Sequence, residues 1–364
     1  MFFWQRTKKN APRPRGLDRL STSLDANLHW FKADIFANDE TIVYRRFKTK
    51  GTKPRDCVLI YADNMVKHEY LSQFVLRPLM EADLPKNLKG EEIADFLAEQ
   101  VIQSDGSEFV YGYSEIGDKT MDGVGVILVD GCAVGIVVDA QGWAKRAISE
   151  PPSETVVRGP RQGFGEDLGV NISLVRLRLS SPNFKTKFLH VGTQSKTRVA
   201  ILYLDNVTSM DLVSEVQRRI EQMKIDAVLD SGYIQEFIQD APYSPFPTIG
   251  QTERPDVVAA KVLEGRVAVL VDGSPFALTM PYLLVEAFQA NEDYYNHWIS
   301  ATFHRMVRYV SLFLTTSIPA IYIALINYHP QLIPTNLVIS ISASRKNVPF
   351  PGIVEIVVMG LVFE

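Results

Sequence analysis

Hydrophobic and polar residues follow the same order in two separate parts of this chain. Cys57 to Leu79 reads CVLIYADNMVKHEYLSQFVLRPL, and Val199 to Glu221 reads VAILYLDNVTSMDLVSEVQRRIE. Each segment opens with a continuous apolar run, passes a polar turn and continues with apolar residues at helical spacing, which predicts a buried strand followed by an amphipathic helix. The two segments lie 142 positions apart and share Tyr, Asp-Asn, Ser and Arg at matching positions. We therefore expect two copies of one module.

A second pair of segments keeps this separation. Val126 to Gly131 reads VILVDG, and Ala268 to Gly273 reads AVLVDG. An Asp-Gly pair between apolar runs predicts a β-hairpin in each copy. The helices predicted between strand and hairpin, over 91–102 and 231–239, match only with a one-residue shift. This order predicts a mixed α/β (α+β) region of two tandem modules, similar in type to thioredoxin-like modules. Because no CxxC pair is present, no redox function follows from that analogy.

These patterns divide the chain into six regions. We expect a basic disordered tail over 1–16, a first α/β subdomain over 17–149, a basic ordered linker over 150–198, a second α/β subdomain over 199–290, an interfacial amphipathic helix over 291–308 with Asn291 as its cap, and the start of a transmembrane region over 309–364.

The stretch from Tyr309 to Ser344 contains no charged residue. Within it, the residues from Val310 to Tyr328 span roughly 28 Å at about 1.5 Å each, close to the hydrocarbon thickness of about 30 Å. Pro319 lies in the middle, where a membrane helix tolerates it as a kink. The sequence therefore predicts one membrane span.

The residues just before this span indicate its orientation. Trp298, Arg305 and Arg308 combine an aromatic ring with basic charge, which is typical of anchors among the lipid headgroups on the cytoplasmic side. We therefore expect membrane lipids as partners and a cytoplasmic N-terminal region.

The apolar sequence beyond the span is less regular. The run over 332–343 is too short to cross a bilayer and contains Pro334, which favours re-entrant or interfacial backbone. A second apolar helix is predicted after Pro351, and it contains Glu355. A carboxylate there either faces a pore or lies in water at the interface, and the sequence leaves both alternatives open. The pattern stops partway through, which we interpret as a truncated transmembrane domain.

The linker has a local excess of basic residues. Between Thr155 and Arg198, eight basic residues stand against two acids, a local charge of +6 in a chain of formal net charge −4. Three interpretations remain open: a solvated basic face, an inter-subunit surface that docks on carboxylates, and a surface for anionic lipid or nucleic acid. Nucleic acid is disfavoured because no recognition motif is present. The residues proposed for assembly are Glu154, Arg158, Arg161, Phe164, Glu166, Arg176 and Arg178.

Known enzyme signatures are missing from this sequence. It has no P-loop, HExxH or GxSxG motif, and GFGEDLG (163–169) departs from GxGxxG because its third Gly falls one residue late. Its two cysteines lie in apolar runs and its six histidines are scattered, so neither residue type has the spacing of a metal site. We expect a protein without catalytic residues, metal or cofactor.

Three long segments resemble one known family. These segments are EPPSETVVRGPRQGFGEDLGVNISLVRLRL in the linker, ATFHRMVRYVSLFLTTSIPAIYIALINYHPQLIPTNL at the membrane segment and ISASRKNVPFPGIVE after it. They resemble the GerA family, the A subunit of bacterial spore germinant receptors. The resemblance extends from about Leu17 to the end of the chain and is thinner in the first module.

The resemblance implies a function that the residues alone do not. Family members lie in the inner membrane of dormant spores and work with a transporter-like B subunit and a lipoprotein C subunit. Their A subunits are thought to form a ring that acts as a ligand-gated ion channel, which implies a homo-oligomer. The alternative from the residues is a subunit of a secondary transporter, with membrane helices broken at Pro319 and Pro334.

Overall fold

The structure, a computed structural model, describes residues 18–50, 53–85, 88, 90–104, 107–142, 151, 153–155, 158–345 and 350–363. The tail predicted over 1–16 lies outside these residues. The described chain forms two compact units. The first contains both β-sheets and ends at Leu283, and the second comprises 158–159 and the chain from Leu284 onward.

The first module is built from one five-stranded sheet and short helices. Its elements are α1 Leu24–Trp30, β1 Ile42–Lys48, β2 Asp56–Ala62, α2 His68–Tyr70, α3 Arg77–Glu81, α4 Glu91–Phe96, β3 Ser107–Val110, α5 Tyr113–Met121, β4 Gly125–Val129 and β5 Gly135–Val138. Three π-helical stretches, Phe31–Ile35, Leu71–Leu76 and Leu97–Val101, continue α1, α2 and α4.

The second module repeats this plan. Its elements are α6 Leu168–Arg176, β6 Phe184–Val191, β7 Thr197–Leu204, α7 Met210–Glu221, α8 Ser231–Ile238, β8 Gly250–Thr252, α9 Pro255–Leu263, β9 Val267–Val271 and β10 Ala277–Met280. The sequence predicts a linker over 150–198. Within that range, α6 and β6 are instead elements of this module.

The two sheets share both strand order and register. The orders are β1-β2-β4-β5-β3 and β6-β7-β9-β10-β8, and the described ladders are antiparallel. Ile127 faces Ile136 in the first hairpin, and Val269 faces Leu278 in the second, a shift of 142 positions for both partners. The predicted hairpins and the mixed α+β class are confirmed, whereas the likeness to thioredoxin remains a prediction.

Helices cover both faces of each sheet. In β2, Cys57 and Leu59 belong to the core beneath α2, α3 and α4, while Val58 and Ile60 belong to the core beneath α1 and α5. Strand β7 divides its residues in the same way between two cores. Because side chains alternate across a strand, a continuous apolar run fits a strand that is buried on both faces.

The two helices that match with a one-residue shift also differ in their hydrogen-bond pattern. Leu97–Val101 continues α4, whereas its counterpart α8 is a regular α-helix. A π turn closes its hydrogen bonds one residue later than an α turn and so accommodates one extra residue.

The second unit contains the apolar helices. Two 3₁₀ turns, Leu284–Phe288 and Asn291–Tyr294, precede α10 Trp298–Asn327, and α11 Thr335–Arg345 and α12 Gly352–Phe363 follow. Within the described part of the chain, α10 is the one helix long and apolar enough to cross a membrane, with a mean hydropathy of 1.8 over its best window. This helix includes 310–327 of the predicted span 310–328, and Tyr328 is its C-cap.

The start of α10 differs from the sequence prediction. Asn291 lies in a 3₁₀ turn rather than at a helix cap, and the α-helix begins at Trp298. The ring of His297 accepts a hydrogen bond from the Ile299 amide and takes the N-cap position instead. The run over 332–343, expected as re-entrant or interfacial backbone, lies largely in α11.

Candidate functional site

Arg176 joins the two modules through a buried ion pair. It lies in the last turn of α6 and is only 1% exposed. Its Nη2 donates to Asp39 Oδ2 at 3.1 Å and to Thr41 Oγ1 at 2.8 Å, and its guanidinium lies 5.2 Å from the centre of the Phe184 ring. Asp39 and Thr41 directly precede β1 of the first module. The guanidinium is therefore used inside the chain, away from any surface that a neighbouring subunit could reach.

Further polar contacts extend this junction along β6. The buried Nζ of Lys185 donates to the Ile35 carbonyl at 2.9 Å, and burial lowers the pKa of this lysine. The Glu40 amide donates to the Thr186 carbonyl at 3.0 Å, and Glu40 Oε2 accepts from the Phe188 amide at 2.9 Å. Because buried polar groups without partners are costly, these contacts favour one defined arrangement of the modules.

The beginning of the predicted linker is fixed to strand β8. Thr252 Oγ1 donates to Glu154 Oε2 at 2.7 Å, and Arg254 Nη1 donates to the Glu154 carbonyl at 3.4 Å. Burial raises the pKa of the Glu154 carboxyl, against the opposing effect of the Thr252 hydrogen bond. Phe164 is buried, and its amide donates to the Glu253 carbonyl at 2.7 Å. Glu154 and Phe164 thus hold the linker against the second module.

The other linker residues proposed for assembly lie nearer the surface. Arg158, Arg161 and Glu166 are exposed. Arg178 is half-buried, and its guanidinium donates to the backbone of the preceding helical turn and to Gln162 Oε1, both at 2.7 Å. Of the seven residues, these four retain a side chain that a neighbouring molecule could contact.

Gly159 belongs to the second unit and lies close to the ring of Tyr295. Its φ is +135°, and a Cβ at this position would lie 3.0 Å from Cδ2 of Tyr295. Both the backbone angle and the close ring favour glycine at this position.

Next to the apolar helix, two arginines hold one carboxylate. Arg308 binds Asp293 in a bidentate pair, with Nη2 to Oδ1 at 2.7 Å and Nη1 to Oδ2 at 2.8 Å, and Arg305 Nε reaches Oδ2 at 3.1 Å. Arg308 Nη1 also donates to the Phe288 carbonyl at 2.9 Å. The Asp293 side chain is only 3% exposed. We call Asp293, Arg305 and Arg308 the membrane-proximal clamp, because they tie the chain before α10 to the first turns of that helix.

Aromatic rings surround the clamp. The Arg305 guanidinium lies 5.0 Å from the centre of the Tyr294 ring, and the rings of Phe288 and Tyr309 are 6.1 Å apart. Arg308, with Arg305 beside it, lowers the pKa of Asp293 to about 2, although burial opposes the shift. Charge-assisted bidentate pairs are among the stronger hydrogen bonds in proteins. The clamp is thus an ionised cluster at the N-terminal end of the apolar helix.

The remaining predicted membrane residues occupy separate places. Trp298 starts α10 and is 61% exposed. Pro319 lies inside α10, which continues through it, and the Pro334 carbonyl accepts hydrogen bonds from amides in the first turn of α11. Glu355 lies in α12, but its side chain is outside what the structure describes.

Sequence reasoning identified the arginines of both clusters but not their partners. Asp39 and Asp293 carry no motif, and they lie 137 and 15 positions from the arginines that they bind. For the clamp alone, the sequence contained a signal for the acidic partner. Asp293 precedes Arg305 and Arg308 by 12 and 15 positions, which is about three and four helical turns. Over the described residues, no group of three or more His, Cys, Asp or Glu side chains could hold a metal ion.

Taken together, these observations define a two-module α+β region that leads through a charged cluster into an apolar helix suited to a membrane. The chain belongs to the family described as Bacillus/Clostridium GerA spore germination protein, whose model matches residues 32–364. The resemblance seen in the sequence is thereby confirmed.

Relatives from Bacillus subtilis (strain 168) support this membership. Spore germination protein B1 is 36% identical over 347 residues, covering 95% of this chain and 70% of the relative. Spore germination protein KA is 33% identical over 345 residues, covering 95% and 63%. Uncharacterized membrane protein YfkQ is 38% identical over 306 residues, covering 84% and 59%. The chain therefore spans about three fifths to seven tenths of the length of these proteins.

A solved structure matches the soluble part. The N-terminal domain of the A subunit of the Bacillus megaterium spore germinant receptor GerK3 aligns with a TM-score of 0.55 and 27% identity, covering 73% of this chain and 97% of the solved one. Family membership and this likeness support a role in a germination receptor.

Proposed function

We propose that this chain is part of the A subunit of a nutrient-sensing spore germinant receptor. The subunit lies in the spore inner membrane with its two modules in the cytoplasm. It assembles with copies of itself into an ion channel, and it works with a transporter-like B subunit and a lipoprotein C subunit. Membership of the GerA family and the likeness to a GerK3 A-subunit domain support this proposal.

The membrane-proximal clamp carries the gating part of the proposal. Asp293 follows the second module along the chain, whereas Arg305 and Arg308 lie on α10. Because the carboxylate is almost fully buried and holds both guanidiniums, a displacement of the segment before α10 is transmitted to the helix through three charge-assisted contacts. The clamp therefore couples the soluble modules to the membrane helix, and it opens the channel when those modules move.

Replacing Asp293 by Asn tests this coupling. The amide keeps the size of the side chain but removes the charge that holds both arginines. In spores that carry the full-length receptor, we expect Asp293→Asn to change the germinant concentration needed for ion release about tenfold, which corresponds to about 1.4 kcal/mol of coupling energy. Asp211→Asn makes the same change at an exposed position of α7 and should leave the threshold unchanged.

The amount of receptor in the spore membrane is measured in parallel by immunoblotting. A wild-type threshold and release rate for Asp293→Asn, at an unchanged receptor level, would contradict a coupling role for the clamp.

The alternative, a secondary transporter subunit, depends on broken membrane helices. Helix α10 runs without interruption through Pro319, so this helix offers no unwound segment for a substrate. Substrate flux through the reconstituted subunit, independent of germination, would support the alternative over the channel.

A further inference from the structure

A small apolar cavity lies in the second module between α7, α8 and the end of β10. Its volume is about 140 Å³, and its walls are formed by Leu212, Val216, Ile238, Ile249, Met280 and Pro281. Val216, Ile238, Ile249 and Met280 are each 5% exposed or less and belong to the core of this module. Loop residues Asp240, Thr248 and Pro281 complete the lining, so the cavity lies at the edge of the packed core and is partly open to solvent.

Charged side chains form the rim of this cavity. Arg219 pairs with Glu215 Oε1 and with Asp240 Oδ1, both at 2.7 Å, and its Nη1 donates to the Ile238 carbonyl at 2.7 Å. Because both carboxylates already bind the Arg219 guanidinium, none of these three charged groups remains unpaired for a ligand. An ionic ligand would lose its hydration without a new partner, so the lining selects a neutral molecule.

The first module has a bulkier side chain at a matching position. Leu212 lies 142 positions after Tyr70, and the two helices, which begin at His68 and Met210, keep this separation. Tyr70 packs against the core of its module, and its ring lies 5.3 Å from the ring of Phe74. The second module has the smaller Leu at the position where the first has Tyr, and Leu212 lines the cavity.

We propose that this cavity binds a small neutral apolar or aromatic molecule of up to about the size of benzene. An apolar cavity of about 150 Å³ in a protein core takes up benzene or xenon, so a space of about 140 Å³ with an apolar wall is large enough for such a ligand. Removal of the apolar surfaces of ligand and wall from water, together with dispersion contacts, provides the affinity. The site is independent of the channel role proposed above.

Hydrogen–deuterium exchange with benzene as the probe tests this site. The full chain is reconstituted in lipid nanodiscs, and exchange is compared with and without benzene. A ligand at about ten times its Kd slows exchange through local opening about tenfold. We expect this slowing for peptides that cover α7 and α8, but not for peptides of the first module.

Two cavity-filling variants distinguish binding in the cavity from general effects of the solvent. Leu212→Tyr copies the residue of the first module, and Val216→Phe fills the space from the next turn of the same helix face. Both should abolish the slowing in α7 and α8. Exchange of the β9 amides, which are buried in the sheet, reports whether each variant is folded. Met210→Phe, at an exposed position of α7, is the matched control and should retain the response.

Partitioning of benzene into the nanodisc affects α10 equally in all variants and so provides an internal reference. The same slowing of α7 and α8 in a folded filled variant, or no slowing in the wild-type chain at saturating benzene, would overturn the proposal.

Discussion

Arg176 and Asp39 show how strongly one buried charge depends on its partner. Their side chains are 1% and 0% exposed, so neither is compensated by water if the other is removed. We expect Arg176→Met to lower the free energy of unfolding of the modules by about 3–5 kcal/mol, because it leaves Asp39 buried and unpaired. Urea unfolding of the full chain in detergent micelles measures this loss.

The control for this prediction is Arg46→Met. Arg46 also binds an aspartate, Asp25, but its side chain is 54% exposed. Exposed ion pairs contribute about 0–1 kcal/mol, so this variant should be close to wild type. Equal effects of Arg46→Met and Arg176→Met would argue against a buried junction between the modules.

The carboxylate of Asp293 predicts a pH dependence for the membrane-proximal clamp. Its pKa is lowered from 3.8 to about 2 in the folded chain, chiefly by Arg308. A carboxylate with a depressed pKa stabilises the fold above its ordinary pKa, and that stabilisation is lost as the pH falls from about 3.8 through about 2. We expect amide exchange over 288–294, corrected for the intrinsic pH effect, to accelerate in this window. Asp293→Asn should remove the pH dependence, and a wild-type profile in that variant would place its origin elsewhere.

Strands, hairpins and repeated modules could be predicted from the sequence because their signal is local. The hairpins formed by β4 with β5 and by β9 with β10 follow from two apolar runs around Asp-Gly, and their common separation indicated the duplication. The sequence also predicted the apolar span, because nothing but length and lack of charge is needed to recognise it.

Strand β6 could not be recognised in this way. Its lysines made the region read as a basic linker, yet Lys185 is buried because the first module supplies the Ile35 carbonyl as its partner. A contact across 150 positions has no local signature. Asp39, which lies 137 positions from Arg176, escaped prediction for the same reason.

The residues of the linker motif differ in burial, and we therefore expect them to have different roles. Phe164 is 6% exposed and packs in the core of the second module, so we expect Phe164→Ala to cost about 3–5 kcal/mol of unfolding free energy. Phe246→Ala, the same change at a side chain 59% exposed, should fall within about 0.5 kcal/mol of wild type. Denaturant midpoints of the two variants measure the difference. Similar midpoints would mean that Phe164 is not part of a packed core.

We propose that the exposed arginines of the linker contribute to the assembly of the whole receptor, where their guanidiniums would dock on carboxylates of a neighbouring subunit. On this proposal, we expect Arg158→Ala or Arg161→Ala to reduce the yield of the crosslinked oligomer in membranes several-fold. Far-ultraviolet circular dichroism and the denaturant midpoint should remain those of the wild-type chain. Arg218→Ala, on the exposed side of α7, is a matched control at a site not proposed for assembly. An unchanged oligomer size in both linker variants would contradict this role.

For the whole molecule, we propose that the two modules lie in the cytoplasm and act on the membrane helix through the clamp, and this proposal predicts that the complete subunit conducts ions. Single-channel recording of the full-length subunit in a planar bilayer measures this property. We expect discrete conductance steps, and we expect Asp293→Asn to change the fraction of time that the channel is open while leaving the step size unaltered. The absence of any conductance from protein shown to be inserted and oligomeric, under conditions that trigger germination, would contradict the account.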